Sequence, residues 1–102
     1  MNQKLIELNE DNFYHEVLNA TLPVIVEFWA GWSESCKAIT PILEAVATDR
    51  AGSVKFARVN VEEHEALTQL CGVESVPALL VFHSGGRQDQ LVGRTTVQSD
   101  RD

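Results

Sequence analysis

Residues 24–30 read Val24-Ile25-Val26-Glu27-Phe28-Trp29-Ala30, apolar at every position but one. A strand with one face in water alternates apolar and polar side chains; a strand covered on both faces has no reason to. The β-branched and aromatic residues favour extended backbone, and Pro23 closes the connection before them. The run therefore predicts a central strand that needs cover on both sides. In a chain of 102 residues, helices packed on the two faces of one sheet supply that cover.

The flanking sequence provides such helices. Leu5-Ile6-Glu7-Leu8 is a short strand candidate, and Asn9 is an N-cap before the acidic Glu10 and Asp11. Phe13, Val17 and Leu18 recur at helical spacing, which predicts a helix from about Glu10 to Asn19. From Glu34 to about Asp49, the residues Ile39, Ile42, Leu43 and Val46 fall at i, i+3, i+4 and i+7 of an amphipathic helix. Pro41 lies inside it and removes one backbone donor, so a kink is expected there. Val54 to Val61 alternates as a strand, and Glu62 to Leu70 reads as a short helix with Gly72 as its C′ residue. Ala78 to Phe82 is a second buried strand. His83 to Arg87 is turn chemistry, and Gln88 to Val92 returns as a hairpin partner. The order β-α-β-α-β-α-β-β predicts one α/β domain over residues 1–102, its sheet flanked by helices on both faces.

Composition narrows the partners. Hydrophobic residues make up 44% and charged residues 23%, enough apolar surface for a core and unlike a disordered or coiled-coil chain. With 8 Lys+Arg against 15 Asp+Glu, the net charge of −7 disfavours a grip on nucleic acid. No stretch has the apolar length of a membrane span, the start lacks a signal-peptide core, and two cysteines are too few for a disulfide-stapled scaffold. A cytoplasmic protein without a membrane partner is the expectation. His15, His64 and His83 are scattered without metal-ligand spacing, and Gly85-Gly86 lacks the Lys-Ser/Thr of a phosphate loop. Neither a metal nor another cofactor is expected.

The chemistry concentrates where the central strand meets the kinked helix: Trp32-Ser33-Glu34-Ser35-Cys36-Lys37. Ser33 is a good N-cap, which places Cys36 in the first helical turn, where unsatisfied N–H groups and the helix dipole favour negative charge. Lys37 adds to that effect, Glu34 opposes it, and burial opposes it further. Read locally, a plain cap and a small buried hydrophobe explain the pair more simply than catalysis does.

The wider sequence changes that balance. Trp32 and Cys36-Lys37 resemble the Trp-Cys-x-x-Cys-Lys motif of the thioredoxin family, with Ser33 standing where the first cysteine would be. Val26 to Ala30 resembles the family's strand leading into the site, and Pro41 its helix-kinking proline. Gly72-Val73-Glu74-Ser75-Val76-Pro77 is similar to its cis-proline loop, and Leu91-Val92-Gly93 to its glycine corner. The likeness runs in order from about Leu5 to Arg94. It implies the thioredoxin fold with a mixed central sheet, and a site built from the helix start, Val76-Pro77 and Gly93. It also implies that protein chains are the partners, bound in a groove of Trp32, Val76, Pro77 and Gly93, with thioredoxin reductase as a further partner for a dithiol parent.

The departures from the family bear on function. Only a thiolate takes part in sulfur exchange, so Ser33 cannot be the attacking nucleophile and no disulfide can join positions 33 and 36. What remains of the Ser-x-x-Cys motif is Cys36, the family's resolving position, expected to react more slowly than Cys71. Glu27 and Arg58 occupy the places of the family's buried acid and its basic partner, and are either a proton-transfer pair or a structural ion pair. Cys71 resembles an extra cysteine of some animal thioredoxins, outside the active-site pair. Three origins for Ser33 stand open. One is a Cys→Ser substitution in a thioredoxin. Another is a natural domain similar to those of chaperedoxins, which bind client proteins and form mixed disulfides. The third is a purely structural or binding domain with no redox role. After Gly93, Val97 is the one large apolar residue, so the family's C-terminal helix is expected to be short or missing.

Overall fold

The computed structural model describes residues 5–83 and 86–93. Its five strands are β1 (Ile6–Glu7), β2 (Val24–Trp29), β3 (Lys55–Asn60), β4 (Ala78–His83) and β5 (Gly86–Val92), with helices α1 (Glu34–Asp49) and α2 (Glu65–Leu70). They form one mixed sheet in the order β1-β3-β2-β4-β5. β3 runs parallel to both β1 and β2, whereas β4 is antiparallel to β2 and β5. The expectation of a short or missing C-terminal helix falls on residues outside those described.

β2 is central and covered on both faces, for the reason its composition gave. Val24, Val26 and Phe28 point to one side, where they pack with Ala57, Val59, Leu80, Phe13, Val17 and Leu67. Ile25 points to the other, beside Leu43 and Ala47 of α1, Phe56 and Leu79. Phe28 is wholly buried. Truncating such a side chain to alanine typically costs about 3–5 kcal/mol.

Two helix starts differ from the sequence expectation, each for a local reason. The first helical segment starts late, at Phe13, after a turn in which Asn9 and Asn12 exchange side-chain-to-backbone hydrogen bonds of 2.8 and 2.9 Å. It then widens into a π-helical turn over Tyr14–Leu18, closed by Asn19 N–H donating to the Tyr14 carbonyl. The second helix, α2, starts three residues late because Asn60 folds a turn over itself, its side chain accepting from Glu62 N–H at 2.9 Å. α1 carries Pro41 within its span, where the sequence placed it. Gly72 takes the left-handed conformation expected of a C′ residue, with φ +72°.

Candidate functional site

Strand register brings three loops to one end of the sheet. Phe28 pairs with Ala78, so the chain leaving β2 through Trp29 and Ala30 emerges beside the loop that enters β4 through Val76-Pro77. Leu79 pairs with Val92, which sets Gly93 next to the same loop. The Val76–Pro77 peptide is cis. Gly93 has φ +98°, and a Cβ there would fall 2.6 Å from the Ala78 Cα and 2.7 Å from the Pro77 carbonyl oxygen. No side chain fits that approach, so this corner requires glycine.

α1 begins at this end. Ser33 has extended backbone and is its N-cap, the hydroxyl accepting from Cys36 N–H at 3.2 Å. Cys36 is 2% exposed and Ser33 6%, whereas Trp32 stands 67% exposed. Neither Cys36 nor Cys71 forms a disulfide. Lys37 meets Glu34 at 3.3 Å on the helix surface, so part of its charge is engaged by its own helix neighbour. An exposed pair of this kind contributes little stability.

Glu27 sits on the α1 side of β2 with no solvent exposure. Its Oε2 accepts from the Thr40 hydroxyl at 2.8 Å. Its Oε1 lies 3.7 Å from Arg58 Nε, beyond hydrogen-bond length, and both atoms are buried without a hydrogen-bond partner. The Arg58 guanidinium is divided further, stacking 4.1 Å over the Trp29 ring and meeting Glu7 at 3.5 Å. Burial pushes the Glu27 carboxyl above its ordinary range; the Thr40 hydrogen bond and the Arg58 charge pull it back only in part, while Glu44 and Glu7 push it further up. A cleft of about 340 Å³ opens beside this group, lined by Trp29, Ala30, Cys36, Thr40, Pro41 and Arg58 among others.

A family model described as Thioredoxin matches residues 4–99. The chain belongs to the thioredoxin family. Thioredoxin C-2 of Corynebacterium nephridii is 40% identical over 93 residues, covering 91% of this chain and 86% of its own length. Thioredoxin 1 of Synechococcus elongatus is 33% identical over 98 residues, covering 93% and 92%. The thioredoxin of Porphyra purpurea is 32% identical over 96 residues, covering 91% and 90%. The family's general chemistry is thiol–disulfide exchange with protein substrates.

Within this thioredoxin scaffold the expected residues fall into two groups. Trp32, Val76, Pro77 and Gly93 belong to the converging loops. Cys36, Glu27 and Arg58 belong to the α1 side, and the cleft there includes Cys36 and Arg58 but none of the loop four. Ser33 stands at the junction. Thr40 and Trp29 were missed in the sequence, although buried polar groups are mostly hydrogen-bonded and Thr40 lies one helical turn after Cys36. The histidines differ from one another: His15 and His83 are exposed, but half-buried His64 meets Glu10 at 2.8 Å and ties α2 to the first helical segment. No cluster of three metal-ligating side chains occurs among the described residues, and no described helix is long and apolar enough to cross a membrane.

Proposed function

We propose that this chain is a thioredoxin-type domain that binds protein clients in extended form and does not run a dithiol–disulfide cycle. One observation carries the reading: the helix cap, where the family resemblance puts the attacking cysteine, is a serine whose hydroxyl is engaged with Cys36 N–H, and Cys36 lies buried behind it. A hydroxyl neither attacks a disulfide under these conditions nor leaves as a sulfur would. One exchange remains open to Cys36. Its thiolate attacks a client disulfide, a Cys36–client disulfide forms, and the other client sulfur departs as thiolate. With no second sulfur at position 33 to displace it, that adduct persists. Thioredoxin reductase has no internal disulfide to reduce in this chain and is a partner only of a dithiol form.

The client surface consists of exposed Trp32 with Val76, Pro77 and Gly93, and the backbone of Val76 offers an edge to which an extended segment adds as a strand. A reduced, fully alkylated and unfolded protein has no thiol or disulfide, so its affinity reports this surface alone. Calorimetry should find that Trp32→Ala weakens binding about tenfold, the loss of one aromatic anchor, with thermal stability nearly unchanged. Equal affinity in the variant, or no binding by the parent chain, would contradict the reading.

A further inference from the structure

Thr40 Oγ1 lies 2.8 Å from Glu27 Oε2 and 2.9 Å from the Cys36 carbonyl oxygen. A hydroxyl owns one hydrogen, so it donates to only one of these oxygens at a time. The carbonyl has no proton to return. The carboxyl has one when it is neutral. Two arrangements follow. With Glu27 protonated, its Oε2–H donates to Thr40, and the Thr40 hydroxyl donates to the Cys36 carbonyl. With Glu27 ionised, the Thr40 hydroxyl turns to the carboxylate and leaves the carbonyl.

Thr48 and Thr68 show the resting habit of a helical threonine, donating to the carbonyl four residues back at 3.1 and 2.9 Å. Thr40 has the same bond and also faces a carboxylate. The charged and titratable groups around that carboxylate are Glu44 on the same helix, Arg58 on β3 and Glu7 on β1. Arg58 approaches only Oε1, which has no hydrogen-bond partner, so a proton on Glu27 finds its acceptor at Oε2 through Thr40.

We infer that Thr40 is a positioning residue: its single hydroxyl hydrogen carries the protonation state of Glu27 to the first turn of α1, at the carbonyl of Cys36. Neither group needs Cys36 to engage a client for this to operate, so its failure would leave the client-binding reading untouched.

The test follows the Glu27 carboxyl and Cys36 carbonyl carbon shifts by NMR as pH is raised. In the parent chain and in Thr40→Ser, the Cys36 carbonyl shift should step at the Glu27 midpoint. In Thr40→Val that step should vanish while Glu27 still titrates, now at a higher midpoint because the carboxylate has lost its donor. Glu27→Gln should abolish the step altogether. A step of undiminished size in Thr40→Val, or none in the parent chain, would overturn the inference. Thr40→Ala carries the same comparison should the valine variant not fold.

Discussion

A carboxyl group without solvent contact must give up either its charge or its burial. For Glu27 the balance shifts toward the neutral form: burial raises its pKa above the ordinary carboxylate range, and the Thr40 hydrogen bond and the Arg58 charge oppose this only in part. Folding then takes up a proton between the ordinary glutamate pKa of about 4.3 and the raised one. The folded state binds more protons than the unfolded one in that interval, so stability falls as pH rises through it. Glu27→Gln has no such titration. Its melting temperature relative to the parent's should rise as pH rises through the Glu27 midpoint and level off above it; a difference independent of pH would contradict this. The residue was legible as the single charge in an apolar strand, and Arg58 as its partner only through the family resemblance. Thr40 was not, because its bond to Glu27 joins two elements and leaves no trace in either element's periodicity.

Helix boundaries depend on single side chains that compete with the backbone for its own hydrogen bonds. Ser33 starts α1 where the sequence placed it, because a short hydroxyl side chain reaches the N–H of the third helical residue. Removing that acceptor by Ser33→Ala should cost about 1 kcal/mol in urea unfolding, and Ser33→Thr should retain most of it. Equal stability of the alanine variant would mean the cap bond contributes nothing. Asn60 and the π-helical turn after Phe13 show the opposite case. There an Asx turn and a widened turn displaced helix that the apolar spacing alone predicted, since spacing records which face is buried and not which backbone groups are already taken.

At the scale of the molecule, the antiparallel pairing of β4 with β2 and β5 gathers Trp32, Val76-Pro77 and Gly93 at one sheet end. The resemblance named these residues together, and the strand register explains why their loops lie at one end of the sheet. The placement of Cys36 in a cleft with Trp29 and Arg58, on the α1 side, was not legible, since it follows from which way each strand residue points once the sheet is assembled. Exposed Trp32 and buried Cys36 thus stand on either side of Ser33 in the chain, at the position where the family resemblance puts a second sulfur. The most direct measurement is a protein-disulfide reduction assay with a dithiol electron source, comparing the chain with Ser33→Cys. The parent should show no turnover. The variant should form a reversible disulfide between positions 33 and 36 and reduce its substrate catalytically, with no further change to the site. Turnover by the parent, or an equally inert variant, would contradict the claim that this site lacks only one sulfur.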